Sequence, residues 1–460
     1  MALNLKGKKV LVLGLGASGM SMARFAVRSG AAVRVADSRQ SPPYAARLRE
    51  ELPGVPLYVG EFQPQVFEGA EIIAISPGVP LFEPMVRRAY ERGIPVVGDV
   101  ELFARMRDEF ANSKVIAITG SNGKSTVTEM VGAMCKASGM RTVVAGNIGL
   151  PILDAISEID AGKRRRPDMF VLELSSFQLE TTESLNPEAA TVLNVSEDHL
   201  DRYPGMREYA QAKSRIYYGS GVQVVNRDDT WSRAMGLQGR CVFSFGVGEP
   251  AHEREWGLRR VDGDLWLAEG QTNLMRTSEL QVAGLHNAAN ALAALALCRA
   301  VRLSTAPLLK ALRAFQGLPH RVQRVAEFGG VAFYDDSKGT NVGATVAALQ
   351  GLTRPCVVIL GGDGKGQDFA PLKEAVAARA RAVVLIGRDR ELIARAIEGS
   401  GVAAERATDM HDAVRRAFAL AQAGDAVLLS PACASFDMFR NYEHRAQAFA
   451  EAVRMLEAAR

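Results

Sequence analysis

The sequence predicts an α/β protein in which parallel sheets carry helices on their faces. Three observations lead there. Short β-branched runs alternate with helical stretches along nearly the whole chain, the pattern of successive strand–helix–strand units. Several runs end in Gly, Asp, Asn or Ser, the residue types of loops that build sites at the carboxyl ends of strands. The chain has 460 residues, which at roughly 150 residues per domain gives about three domains.

In chain order, the runs at 9–13, 33–36 and 71–75 read as the first strands. A second group falls at 115–119, 141–145, 169–173 and 190–194. A third falls at 331–335, 356–360, 382–386 and 426–430. The alternation breaks between 222 and 280, where Trp231, Trp256 and Trp266 sit among charges and glycines. That segment reads as a β-rich extension of the middle domain. A helix rich in Ala and Leu is expected at 287–301, and another at 209–217. Linkers are expected near 107–112 and 317–319, dividing the chain into 1–108, 109–317 and 318–460.

Composition narrows the class. With 48% apolar and 23% charged residues, the chain is neither disordered, collagenous nor a disulfide scaffold. Lys and Arg number 55 against 51 Asp and Glu, and a balance of +4 argues against a nucleic-acid coat. The basic run at 163–166 reads as a solvated loop. Cys135, Cys241, Cys298, Cys356 and Cys433 never form C-x-x-C and read as buried thiols of a reducing compartment. Lys6, Lys8 and Lys9 precede an apolar run, but Gly14, Gly16, Gly19 and Arg24 interrupt it, so a first strand is expected rather than a signal peptide. The uncharged stretch at 281–298 contains His286, Asn287 and Asn290 and is too polar and short to span a bilayer. A cytoplasmic protein with no transmembrane segment is expected.

Two glycine-rich turns carry the first chemistry. G-L-G-A-S-G at 14–19 follows the first strand, and Asp37 ends the second. This fits a dinucleotide fingerprint, with amides facing a pyrophosphate and an acid for a ribose. Alone it suggests a nicotinamide oxidoreductase, or merely a tight turn. S-P-G-V-P at 76–80 lies at another strand end. T-G-S-N-G-K-S at 119–125 offers loop amides from Gly120 to Gly123, Lys124 for terminal phosphates and the Ser125 hydroxyl for Mg²⁺. It departs from strict P-loop spacing, because Ile118 stands where a glycine is required. A dehydrogenase needs one phosphate site. Two sites favour ATP-driven chemistry on a nucleotide-linked substrate.

Glu173 ends an apolar strand, where a carboxylate is costly unless paired or metal-bound, so it is a candidate Mg²⁺ ligand. His199 lies in a polar loop beyond another strand, and Lys213 follows on a helix.

Taken together, these strings resemble the Mur ligases of peptidoglycan synthesis over essentially the whole chain. The resemblance includes A-G-N-I-G at 145–149, L-E-L-S-S-F-Q-L-E at 172–180, E-D-H-L-D-R-Y at 197–203 and H-N-A-A-N at 286–290. It continues with H-R at 320–321, D-D-S-K-G-T-N at 335–341, G-G-D-G-K-G at 361–366 and S-P-A-C-A-S-F-D at 430–437. The 172–180 and 430–437 strings look like the branch that adds D-glutamate.

The resemblance implies a Rossmann-like N-terminal domain, a central P-loop ATPase domain and a Rossmann-like C-terminal domain. It implies an ATP-dependent amide ligase that adds D-glutamate to UDP-N-acetylmuramoyl-L-alanine through an acyl phosphate. Lys124, His199, Lys213 and Lys338 resemble catalytic residues. Ser125, Glu173, His199 and Lys213 resemble the set for two Mg²⁺ ions, with Lys213 carbamylated by CO₂. Gly120, Ser121, Asn122, Gly123, Lys124, Ser125, Thr126, Asn290, Arg321 and Asp336 resemble ATP contacts. Gly14, Leu15, Gly16, Asp37, Arg39, Ser76, Gly78 and Asn147 resemble contacts to the UDP substrate. Thr340, Lys365, Ser435 and Tyr442 resemble the D-glutamate pocket. Gly339, where Ala is common, and Tyr442, where Phe is frequent, depart from the pattern. A monomer is expected.

Overall fold

The computed structural model describes residues 4–282, 284–352 and 354–459. Three sheets form, each from one contiguous stretch of chain. The first is wholly parallel, in the order Leu57–Val59, Ala32–Asp37, Lys9–Leu13, Ile72–Ile75, Val96–Val97. The third runs Gln323–Phe328, Val331–Asp335, Ala426–Leu429, Cys356–Gly361, Ala380–Ile386, Ala403–Arg406, and only its first pairing is antiparallel.

The middle sheet has nine strands. Lys114–Thr119 lies inside it, between Ala189–Val192 and Met169–Glu173, with Thr142–Gly146 beyond. On the other side follow Val222–Asn226, Val242–Phe245 and Glu255–Val261, all parallel, then Asp264–Glu269 and Thr272–Arg276, antiparallel. The expected β-rich extension is therefore a continuation of the same sheet. Trp256 is its buried centre, but Trp231 sits on a short helix, Thr230–Ala234.

The interior strands fall within about two residues of their expected places. The strand expected at 190–194 ends at Val192, because the next residues turn out to hold the phosphate loop. The helix expected at 209–217 spans Met206–Ser214 and closes in a 3₁₀ turn, Arg215–Tyr217. The helix expected at 287–301 spans Leu285–Ala300. Leu57–Val59, Val96–Val97, Gln323–Phe328 and Ala403–Arg406 were not expected as strands. Each is a short or charge-bearing strand at a sheet edge, where one flank meets water and the apolar pattern fades.

Packing positions the loops. Helices Lys124–Ala137 and Leu285–Ala300 pack side by side on the middle sheet, and Thr305–Ala314 packs against both. The alanines of Leu285–Ala300 let it approach closely, and nearly its whole central run is buried. Val100 and Phe103 from the first segment join Phe110, Ile156 and Phe170 of the middle one in a shared core, with Phe103 and Phe170 ring centroids 4.9 Å apart. Each buried aromatic there contributes about 1.5–3 kcal/mol. Phe110 belongs to a 3₁₀ turn, Arg107–Phe110, where a linker was expected, whereas 317–319 carries no helix or strand.

Gly19 has a steric reason to be glycine: a Cβ there would stand 1.8 Å from the Gly14 carbonyl oxygen. This contact lets the first helix start directly at the strand end. Four cysteines are buried as expected, but Cys241 is exposed just before Val242–Phe245. Residues 163–166 are exposed, although Arg164 pairs with Glu158 and Arg166 lies over the Phe110 ring. Among the described residues no helix is long and apolar enough to cross a membrane.

Candidate active site

The register of the middle sheet assembles the centre. Ile118 pairs with Glu173 and Thr119 with Val192, so three strand ends open on the loop that follows Thr119. Asn194 grips that loop: its carbonyl accepts from Ser121 N at 2.9 Å and its Oδ1 from Asn122 N at 2.8 Å. Lys124 Nζ folds back to donate to the carbonyls of Gly120 (2.8 Å) and Ser121 (3.0 Å). Burial lowers its pKa, and the charges of Glu173 and Asp198 pull the other way.

Lys213 Nζ reaches the same Gly120 carbonyl at 2.9 Å and is 1% exposed. Burial, reinforced by the charge of Lys124, pushes it well below the usual lysine range. The neutral amine, the form that reacts with CO₂, is thereby favoured.

Glu173 is 1% exposed. Its Oε1 accepts from Asn147 Nδ2 at 2.7 Å, while Oε2 is buried with no hydrogen-bond partner. An orphaned carboxylate oxygen beside a phosphate loop fits a hard cation. Among the described residues no three His, Cys, Asp or Glu side chains converge into a metal cage. Mg²⁺ commonly takes one or two carboxylates together with substrate phosphates, so this sparse donor set suits it.

His199 stands at φ 58° with its ring 4.7 Å from that of Phe177. Burial holds its pKa down at about 4; the charges of Lys365, Lys124 and Lys213 assist, and Asp198 opposes. At neutral pH the ring is uncharged and keeps a lone pair for a ligand. Among the described residues, five of the eight non-glycine positions with left-handed φ, namely His199, His320, Val322, Lys365 and Ala432, lie in loops around this centre. Such backbone costs about 1–3 kcal/mol per residue and concentrates at functional sites.

Asp198 was missed in the sequence. It forms an ion pair with Lys365, and its Oδ2 accepts from Asn341 Nδ2 at 3.3 Å. Burial would raise its pKa, but Lys365 and His199 outweigh that and hold it at about 2. Its one signal was its place in E-D-H, next to the singled-out histidine.

A cavity of about 320 Å³ between the middle and third sheets is lined by Asn122, Gly123, Thr126, Asn290, Arg321 and Asp336. It gathers residues expected to contact ATP from four separate strings. Arg321 Nη2 lies 3.4 Å from Ser125 Oγ across the boundary. Asp336 Oδ2 accepts from Ser430 Oγ at 2.6 Å, and burial raises its pKa to about 7. The folded carboxyl thus keeps its proton after an unfolded one has lost it, so its contribution is full below about pH 4 and fades as pH rises to about 7. Asp336→Asn is expected to flatten that dependence. Melting curves from pH 4 to 8 should show the variant gaining on the wild type as pH rises. Parallel curves would contradict this.

A second cavity, about 500 Å³, is lined by Gly14, Gly16, Asp37, Arg39, Ser76, Gly78 and Asn147, among others. It joins the first sheet's loops to the middle sheet's Asn147. Leu15 is buried beneath it, and its amide donates to Asp37 Oδ2 at 2.6 Å. Asp37 also accepts from Arg39 Nε at 2.8 Å and Nη2 at 2.6 Å. Its carboxylate is engaged by protein groups, unlike the free ribose-binding acid of a dinucleotide fingerprint. Arg39, with 53% of its side chain exposed, is the cation presented there.

The third-sheet residues are less gathered. Lys338 Nζ sits 4.9 Å from the Tyr442 ring centroid, and burial lowers its pKa. Lys365 is held by Asp198. Ser435 is buried in a turn whose carbonyl accepts the amides of Met438 and Phe439, and the Thr340 amide donates to the Lys338 carbonyl at 2.9 Å. Among the described residues no hydrogen bond joins Lys365 to Thr340, Ser435 or Tyr442. A further cavity, of about 1280 Å³, lies at the β-rich extension beside His252 and Arg254 and shares no lining residue with the other two.

Three family models match the chain: a Mur ligase MurD-like N-terminal domain at 8–98, a Mur ligase middle domain at 118–298 and a Mur ligase glutamate ligase domain at 320–433. The chain belongs to the Mur ligase family. It is 58% identical to a protein of Methylobacillus flagellatus over 99% of this chain and 98% of that one, and 59% identical to one of Thiobacillus denitrificans over 100% and 98%. Both bear the name UDP-N-acetylmuramoylalanine--D-glutamate ligase. Solved structures share the fold. UDP-N-acetylmuramate-alanine ligase MurC from Thermotoga maritima matches with a TM-score of 0.60 at 18% identity, over 97% of this chain and 99% of that one. MurF from Acinetobacter baumannii matches with a TM-score of 0.63 at 19% identity, over 99% and 93%.

Proposed function

We propose that this chain joins D-glutamate to UDP-N-acetylmuramoyl-L-alanine with ATP, in peptidoglycan precursor synthesis. The observation that carries the reading is full-length identity of 58–59% to ligases of that name. A carboxylate is a poor electrophile, so the γ-phosphate is first transferred to it. The amino group of D-glutamate then attacks the acyl phosphate and phosphate leaves. The demand is for charge neutralisation and positioning more than for a side-chain nucleophile.

The residues divide that work. Gly120 to Gly123 and Lys124 hold the terminal phosphates, and Asn290, Arg321 and Asp336 the rest of the nucleotide. The cavity at Arg39, Ser76 and Gly78 holds the UDP part, and Asn147 marks the path from it to the centre. Ser125, Glu173, His199 and a carbamylated Lys213 would hold two Mg²⁺ ions, which when bound neutralise the phosphate oxygens. The carbamate forms when the neutral amine adds to CO₂ and releases one proton. Lys338 approaches the phosphates from the third sheet, and Lys365, Thr340, Ser435 and Tyr442 receive an amino acid bearing two carboxylates. Lys365 must exchange Asp198 for that substrate. The division at 1–108, 109–317 and 318–460, a cytoplasmic location and a monomeric state belong to the same reading.

The test is phosphate release over a panel of amino acids. Release should require UDP-N-acetylmuramoyl-L-alanine, Mg²⁺·ATP and D-glutamate together. Equal rates with L-glutamate or L-alanine would sink the assignment.

A further inference from the structure

Arg202 lies three residues beyond His199, with 10% of its side chain exposed. Its guanidinium leaves the middle segment and grips the first one. Nη1 donates to the Pro77 carbonyl at 3.0 Å and Nη2 to the Val79 carbonyl at 3.3 Å. Nη2 also pairs with Glu180 Oε2 at 3.0 Å. The guanidinium carbon lies 4.3 Å from the centroid of Phe177, whose ring also meets those of His199 at 4.7 Å and Tyr203 at 6.0 Å. Pro77 and Val79 line the cavity that takes the UDP part in the proposed reaction. One side chain therefore touches the loop that holds one end of the substrate and the ring that supports the histidine at the other end.

We propose that Arg202 is a positioning residue that sets the separation between the nucleotide-sugar loop at 76–79 and the His199 centre. This rests on the ligase reading. A substrate held at its nucleotide end and reacting at its far carboxylate needs that separation fixed, because a misplacement of about 1 Å can cost about 10²-fold in rate. Arginine suits the task. Its planar fork serves two carbonyls and a carboxylate at once while its face stacks on an aromatic ring, and a lysine can do only part of this. Arg202 itself lines neither the nucleotide-sugar cavity nor the ATP cavity, so binding and turnover should separate when it is replaced.

The test compares wild type, Arg202→Lys and Arg202→Met as full-length protein. It reads kcat, KM for ATP, calorimetric affinity for UDP-N-acetylmuramoyl-L-alanine, and Tm. Arg202→Met is expected to lower kcat by about 50-fold, with ATP KM and nucleotide-sugar affinity within about threefold of wild type. Arg202→Lys should fall between the two. If the Met variant does not fold, the Lys variant carries the comparison alone. Variants with wild-type kcat would overturn the proposal, and so would a kcat loss that merely tracks loss of Tm and affinity, since that marks a simple structural strut. Silence of the wild type with D-glutamate would overturn the ligase reading itself, and this proposal with it.

Discussion

Lys124→Ala is expected to lower ATP-dependent phosphate release by about 10³-fold, the scale of removing a charge aimed at a developing transition state. Its ammonium is held inside the loop it serves by two carbonyls, at 2.8 and 3.0 Å, which leaves the third of its N–H donors for a phosphate. It is desolvated there, which strengthens its attraction for a phosphate relative to water. Lys124→Arg should not restore activity, because a guanidinium cannot sit within reach of both carbonyls without displacing the loop. Affinity for the nucleotide-sugar, measured by calorimetry, should stay within about twofold, because the first-sheet cavity shares no lining residue with this loop. A rate within tenfold of wild type would remove Lys124 from the chemistry.

Lys213→Ala is the second large effect, a loss of about 10²–10³-fold that short-chain carboxylates partly restore. The deep burial of this lysine against Gly120 makes little sense for a permanent cation, since no carboxylate lies within ion-pair distance of it among the described residues. It makes sense for a neutral amine or for its carbamate. Formate or acetate could then occupy the vacated space in the alanine variant and supply the missing oxygen ligand. Wild-type activity in Lys213→Ala would refute the role. A dead variant indifferent to carboxylates would leave the lysine important but not as a carbamate.

Much of this was readable in the sequence where pattern is local. The phosphate loop, Glu173 at the end of an apolar strand and the glycine turn at 14–19 all announce themselves within a few residues. The register that brings Glu173 beside the loop follows from two neighbouring parallel strands. What could not be read depends on partners far apart in the chain. Asp198 and Lys365 are 167 residues apart, and neither signals the other. Asp37 was legible as a strand-end acid, but its capture by Arg39 and Leu15 depends on side-chain direction. Arg202 reads as an ordinary loop arginine until the first sheet is in place. Thin edge strands such as Val96–Val97 are set by a neighbour's unpaired backbone more than by their own residues.

The two seams of the molecule differ in kind. The first segment meets the middle one through Val100, Phe103, Phe110, Ile156 and Phe170, a greasy joint. Among the described residues no apolar cluster has buried members from both the middle and third sheets. That boundary is stitched by Lys365 with Asp198, Asn341 with Asn122, Asp368 with Glu197 and Arg321 with Ser125. Water can replace each stitch at little net cost, whereas parting the greasy joint wets aromatic surface. The chain is thus built like a jaw. The first and middle sheets form its upper part, welded by a shared core, and the third sheet meets them through polar contacts beyond the 317–319 joint. Parting the lower seam therefore costs less than parting the upper and leaves the distance from the 76–79 loop to His199 untouched.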